Sequence, residues 1–465
     1  MNDKCNPAAL ALILSTVTLA GYLPAFNGVF HYDDHSAILD NPHLEQWQTF
    51  LSHLGHMVRP VLYGTFLLDR FLYGPNPVGY HFLNLLLHLG SGILLCRILA
   101  NAVQDKASSI PFWAALLFLI HPIATETVTY ISGRASGLMA FFYLLAFLLY
   151  VKAFQQPAKR RWLYLSGAVS SFVLSVGSKE TAVTFPIVLL IWDRLIRGKR
   201  GTDIRAAVIS DHLPFWIVLL LAAVWAWSHP RYTALGQFSL SIRPFWDHLL
   251  SQLHVTAYAM LLLFCPWNQN FDHDLPQFHS LFQWPLPLDL ILLSGTVAAG
   301  VIAWRRFPLI AFGLAWFFIQ LLPTTLIPRN DLLSERNLYL PAIGLVLVVV
   351  SLGSHLIHWL LTTVRKPALV WFSTAVLATA LIAVLCLFTY QQNLLYQDPL
   401  LLWSDTVAKS PKKARPHNNL GYAYALRDDW DRAIEEFRTA AQLDSDYLLA
   451  QKNLRDAYLH QVGRQ

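Results

Sequence analysis

Long apolar runs alternate with short polar connections through most of the chain. The runs lie near 8–25, 81–100, 111–121, 135–154, 162–178, 181–196, 211–228, 288–304, 308–326, 338–361 and 368–390. About 20 apolar residues are enough for a helix to cross lipid, so this pattern predicts an all-α, polytopic membrane bundle. Run 111–121 is short and extends into Ile123–Thr127. A further stretch, 249–266, is bracketed by Phe245-Trp246 and Pro266-Trp267, the aromatic type that sits at headgroups. It reads as a half-inserted helix on the outer side, which leaves about 11 crossings. The first run is long for a signal-peptide core and reads as a retained span.

Positive charge orients these spans. Basic connections are Lys159-Arg160-Arg161, the segment from Arg194 to Arg205 with Lys199-Arg200, Arg305-Arg306 and Arg365-Lys366, with Arg97 and Lys106 flanking another. All fall on the cytoplasmic side if the N-terminus does and 249–266 does not cross. The outer side then collects Asp33, Asp34, Arg59, Glu126, Arg134, Lys179, Glu180, Arg231, Arg329, Glu335, Arg336 and the C-terminus.

The apolar pattern ends near Gln391, and charge rises from Lys409. The expected division is 1–392 in the membrane and 393–465 as a separate helical domain. From Ala414 to Tyr447, Leu420, Gly421, Tyr424, Ala433, Phe437 and Ala440 follow the 34-residue spacing of a tetratricopeptide repeat. His417 and Ser445 stand where tryptophan and proline are usual. Such units need about three copies for independent stability, so the tail is expected to lean on the membrane part or on a protein partner.

Composition agrees with a membrane protein. Of 465 residues, 55% are hydrophobic and 13% charged, about half the 25% typical of soluble domains. The net charge of +6 comes from the loops. No basic stripe interleaved with aromatics appears, so no nucleic-acid partner is expected. Cys5, Cys96, Cys265 and Cys386 are scattered without metal spacing and read as packing residues.

Candidate chemistry is concentrated in short polar motifs. Asp33-Asp34 follows the first run; such a pair could take a proton, hold a divalent cation or simply cap a solvated turn. Lys179-Glu180 interrupts an apolar hairpin, either as a local ion pair or as a cation for a lipid phosphate oriented by the glutamate. His81, Asn84 and His88 share a helical face, but the histidines are two turns apart, too far for simple chelation; polar packing is the favoured reading. Asp272-His273-Asp274 could bind a cation on the outer surface, but a solvated loop is the favoured reading.

The order of these motifs is itself informative. Phe30-His31-Tyr32-Asp33-Asp34 precedes Arg59-Pro60, then Tyr80-His81-Phe82-Leu83-Asn84 with His88. His121-Pro122-Ile123-Ala124-Thr125-Glu126, Ser132-Gly133-Arg134-Ala135 and Ser178-Lys179-Glu180 follow. Ser334-Glu335-Arg336-Asn337-Leu338-Tyr339-Leu340-Pro341 comes before the repeat-like tail. The series resembles the transmembrane-and-tetratricopeptide O-mannosyltransferase family over essentially the full length, and more distantly the protein O-mannosyltransferases. The resemblance implies a C-type glycosyltransferase fold, a polyprenyl-phosphate-linked sugar as donor and an active site on the luminal or periplasmic face. The acceptor would be a hydroxyl on protein or envelope glycan. The tail is far shorter than the repeat arrays of animal members, which points to a bacterial relative in the inner membrane, with site and tail in the periplasm.

On that resemblance Asp33 and Asp34 are the catalytic candidates, either able to act as base. Arg59, Arg134, Lys179 and Arg336 are candidate donor-phosphate holders, since a guanidinium fork matches phosphate oxygens. Arg59 could equally cover the apolar underside of its loop, and Arg336 could pair with Glu335. Glu126, expected to face Arg134, joins Glu180, Glu335, His81, Asn84 and His88 as supporting residues. No resident metal is assigned. A non-catalytic scaffold that recruits partners through the tail is the competing function.

Overall fold

A computed structural model describes residues 7–103, 105, 108–198 and 204–462, the side chains of Pro7 and of 204–210 excepted. Cys5, Lys106, Lys199 and Arg200 lie outside the described residues. Among those described, all regular structure is helical. In chain order the helices begin with α1 (Pro7–Tyr22), α2 (Trp47–His53), α3 (Pro60–Tyr73), α4 (Pro77–Ala102) and α5 (Ile110–Ile120). Next are α6 (Thr125–Val128), α7 (Arg134–Ala153), α8 (Ala158–Ser178), α9 (Phe185–Trp192) and α10 (Ile204–Ser228). After α11 (Pro230–Ile242) and α12 (Phe245–Phe264) come α13 (Leu286–Arg306), α14 (Pro308–Leu326), α15 (Tyr339–Thr363) and α16 (Pro367–Leu395). The tail holds α17 (Pro399–Lys409), α18 (Ala414–Ala425), α19 (Trp430–Leu443) and α20 (Leu448–Val462).

Proline sits in the first turn of α3, α4, α14, α16 and α17. Its fixed φ suits a helix start, and its missing N–H is one the helix could not pair there. Asn76 and Asp398 cap α4 and α17 by accepting the Val78 and Leu400 amides.

Eight helices among the described residues are long and apolar enough to cross a membrane, or nine if the bent pair Ile110–Ile120 and Pro122–Val128 is one span. The expected count of 11 is not reached. Run 181–196 is divided into a 3-10 turn, α9 and a π turn, with Pro186 opening α9. Helix α8 begins with Lys159-Arg160-Arg161 and carries five serines, so it lacks the apolarity of a span. Helix α12 is not among the candidate spans either.

Among the described candidate spans, α7 is the most deeply buried. Lipid is as apolar as leucine, so close contact and polar ties hold such helices together. At the crossing of α14 and α15, a Cβ on Gly313 would lie 2.5 Å from the Gly344 carbonyl oxygen, so only glycine permits that approach. Trp316 Nε1 donates to the Leu340 carbonyl (2.7 Å) at the same interface. Thr389 donates to the Ile120 carbonyl (2.7 Å), fixing α16 beside the break between α5 and α6.

The tail is docked on the membrane part. Within it, Gly421 of α18 lies against Phe437 of α19, so closely that a Cβ would meet the ring at 2.8 Å. Arg415 forks onto Asp272 and reaches Asp331, and Lys413 joins both carboxylates. Asp272 is buried. Asp272 and His273 are therefore not part of a solvated loop but of the socket for the tail, where two cations from α17–α18 neutralise Asp272; Asp274 alone is exposed.

Candidate active site

The acidic pair is split by its surroundings. Asp34 is fully buried. Its Oδ1 accepts the Ser132 amide (2.7 Å) and hydroxyl (2.5 Å), and its Oδ2 accepts the His31 amide (2.9 Å). Burial pushes its pKa up to about 7, against the pull of those donors. Asp34 is thus the tie between the loop and the Ser132 turn. Asp33 is half-buried, and no described residue donates to its carboxylate. Its amide donates to Tyr130 Oη (3.1 Å). The preceding Tyr32 has φ +43°, a left-handed conformation rare for an aromatic residue that costs on the order of 1–3 kcal/mol.

Tyr130 connects this loop to the Ser-Glu-Arg motif, since the Arg336 guanidinium lies 5.5 Å from its ring centroid. Glu126 fixes that motif by accepting the Arg336 amide (2.8 Å) and the Ser334 hydroxyl (3.0 Å). Arg336 Nε is 3.6 Å from the same carboxylate. Glu126 therefore faces Arg336, not Arg134. Glu335 does not pair with Arg336 either: it is buried and accepts Gln269 Nε2 (2.7 Å) and the Asn270 amide (2.6 Å), with His273 Nε2 2.9 Å away.

Arg134 has a structural role in place of the expected phosphate contact. It is wholly buried, ion-paired with Asp69 (2.5 Å), and donates to Asn84 Oδ1 (2.6 Å) and the Tyr80 carbonyl (3.0 Å). Every direction its fork can point is filled inside the bundle. Asn84 donates in turn to the Val128 carbonyl (3.1 Å). His88 lies between Tyr339 Oη (2.7 Å) and the Leu119 carbonyl (2.9 Å), and His81 is buried near Gly28. All three side chains are buried inside the bundle.

The remaining cations gather on one face. Arg59 forks onto Glu180 (2.8 and 3.0 Å), holding that carboxyl down at about 2 although burial opposes it. Glu180 thus orients Arg59; it does not hold the Lys179 ammonium. Lys179 is buried and donates to Ser136 Oγ and Asn337 Oδ1, both at 2.7 Å. Burial, together with repulsion from Arg329, Arg59 and Arg336, pushes its pKa well below the usual lysine value. Arg329 has no carboxylate at ion-pair distance among the described residues, and burial lowers its pKa too. Four cations thus sit within electrostatic reach of one another, beside a small cavity lined by Ser136, Lys179, Gln320, Arg336 and Asn337. A cavity of about 470 Å³ opens elsewhere, between α2 and α3, lined by Trp47, Arg70, Phe71 and Tyr80. No group of three or more His, Cys, Asp or Glu among the described residues is arranged to hold a metal.

Ser132, Ser136 and Asn337 lie within or beside the motifs that drew attention, but as neutral side chains they signalled nothing. Asp69 could have been suspected as an acid inside the apolar run of α3. Arg329 lies in an outer connection of the expected topology, where the sequence alone assigns it no role.

The molecule is an all-α, multi-pass membrane protein with a carboxylate and a cation cluster on one face. No family model matches the chain. It is similar to proteins named protein O-mannosyl-transferases. It is 27% identical to protein O-mannosyl-transferase F38B6.6 of Caenorhabditis elegans, over 94% of this chain and 63% of that one. It is 27% identical to protein O-mannosyl-transferase Tmtc3 of Drosophila melanogaster, over 91% of this chain and 54% of that one. Protein O-mannosyl-transferase TMTC4 of Homo sapiens is 26% identical, over 92% of this chain and 65% of its own length. The chain therefore spans less than two thirds of the length of each of these relatives.

Proposed function

We propose that the chain is a membrane mannosyltransferase that moves a mannose-type hexose from a polyprenyl-phosphate carrier to a hydroxyl of a protein or envelope glycan. The observation that carries this reading is a half-buried Asp33 carboxylate to which no described residue donates, joined through Tyr130 to the cluster of Arg59, Lys179, Arg329 and Arg336. In this reading Asp33 takes the acceptor proton as its oxygen attacks the anomeric carbon. The bond between that carbon and the phosphate oxygen breaks, and the departing phosphate keeps the electron pair. Its negative charge is what the four cations are placed to stabilise, in a site with little water to screen them. Asp34 holds the loop and does not itself react.

The activity that names these relatives, O-mannosyl transfer, supports the sugar and the reaction class. The cation cluster supports a phosphate donor. We assign 393–465 as a tetratricopeptide-type tail, supported by the Gly421–Phe437 packing, and place site and tail together on the outer face of the membrane.

The test is transfer by purified protein in lipid vesicles from a polyprenyl-phosphate mannose to a serine- and threonine-rich peptide, read by mass spectrometry. Mannosylated peptide that disappears in Asp33→Asn supports the reading. Absence of transfer by the wild type, with both polyprenyl-phosphate mannose and polyprenyl-phosphate glucose, would overturn it.

A further inference from the structure

The tail does more than dock: its first two helices close over the acidic loop. Trp403 of α17 is buried. Its ring stands edge-on to Tyr32, with centroids 5.9 Å apart, and edge-on to Phe271 at 5.3 Å. Phe271 packs on Tyr130 at 5.2 Å. The Arg415 guanidinium lies 5.9 Å from the Tyr32 ring centroid while it is forked onto Asp272. At the start of the tail, the Tyr396 carbonyl accepts the Val29 amide (3.2 Å) and contacts His31 Nε2 (2.8 Å). These contacts fall at Val29, His31 and Tyr32, on the N-terminal side of Asp33.

A left-handed φ in an aromatic residue persists only where surrounding contacts over-determine it. Among the described residues, the aromatic and cation contacts to the Tyr32 ring come from Trp403 and Arg415. Released from them, Tyr32 would relax to negative φ, and the direction of the next side chain would change with it. We infer that Trp403 and Arg415 are positioning residues that hold Tyr32 left-handed and so aim the Asp33 carboxylate. This inference rests on the proposed role of Asp33, and it makes the tail part of the active site's construction.

Two measurements on the full chain separate the inference from the reading beneath it. The first is hydrogen–deuterium exchange across 29–35 in wild type, Trp403→Ala, Trp403→Phe and Arg415→Gln. Trp403→Ala should exchange at least about tenfold faster there, and Trp403→Phe should remain close to wild type. Arg415→Gln leaves Lys413 on Asp272 and Asp331, so the tail stays docked while the cation over Tyr32 is removed; exchange should again rise. The second is mannosyl transfer. Trp403→Ala should lower kcat about tenfold or more with donor KM little changed, because the cations that hold phosphate do not touch the tail aromatic. Trp403→Phe should recover most of the rate, and Tyr458→Ala, far along α20, should match wild type.

Unchanged exchange in both Trp403→Ala and Arg415→Gln would overturn the inference. So would a raised donor KM at full kcat, or collapse of the whole fold in both variants, since the contacts would then serve the bundle and not the loop. Wild type without transfer activity would defeat the proposed function, while the exchange arm would still decide whether the tail orders the loop.

Discussion

Replacing Asp34 by Asn should change the response of stability to pH more than stability at any single pH. The buried carboxyl has a pKa of about 7 in the folded protein, against 3.8 as its ordinary value. Between those values the folded state binds the proton that the unfolded state has lost. The stability from Asp34 is therefore complete below about pH 4 and is lost as pH rises through about 7. A difference of about 3 units, at about 1.36 kcal/mol each, is about 4 kcal/mol. Asparagine cannot ionise, so it lacks this dependence. It also turns an N–H₂ toward either Ser132 or His31, a pH-independent loss of about 1–3 kcal/mol. The variant should thus be less stable than wild type at pH 4 and should gain on it by about 4 kcal/mol by pH 8. His31, which burial lowers to about 4, is common to both proteins and cancels in the difference. Unfolding of the two proteins in the same detergent, at intervals from pH 4 to 8, measures this directly. Parallel stability curves, within about 1 kcal/mol throughout the window, would refute the claim that a buried ionisable Asp34 ties the loop to Ser132.

Asp33→Asn should lower transfer at least about 10²-fold, the low end for a lost general base, while its melting temperature stays that of the wild type; equal turnover numbers would remove Asp33 from the mechanism. Arg134→Ala should destabilise the membrane part by about 3–5 kcal/mol by stranding Asp69, and Arg134→Lys should not recover it because the fork fills several fixed directions; chemical unfolding measures both. Lys179→Gln should raise donor KM with kcat less affected. In the wild type, donor affinity should fall as pH rises, because a bound phosphate favours the charged ammonium that burial disfavours; donor titrations across pH that are flat would contradict a Lys179–phosphate contact.

The motifs of the candidate site were legible because charge inside an apolar chain is conspicuous. Asp33 follows the first hydrophobic run, Lys179 interrupts an apolar hairpin, Arg336 precedes a run and Arg59 stands in the polar stretch between the first two runs; the folded chain brings the three cations to one face. Their partners were not legible. Glu126 was expected opposite Arg134 and meets Arg336; Glu335 was expected on Arg336 and meets Gln269, Asn270 and His273. Adjacent letters invite local pairs, yet side chains of consecutive residues on a turn point apart, and each finds a carboxylate or donor more than 60 residues away.

The sequence by itself determined the class of protein, since about 20 apolar residues in lipid have no alternative to a helix that satisfies its own backbone. It also determined where the apolar pattern stops, near Gln391. The number of helices able to span was decided by where serines, prolines and short turns divide α8, α9 and their flanks. The division of labour within Asp33-Asp34 was decided only by tertiary structure. One carboxylate met three donors from His31 and Ser132 and the other met none among the described residues. Which of two identical neighbours is buried depends on the direction of the backbone at Tyr32. That direction is set by Trp403 and Arg415, some 370 or more residues along the chain.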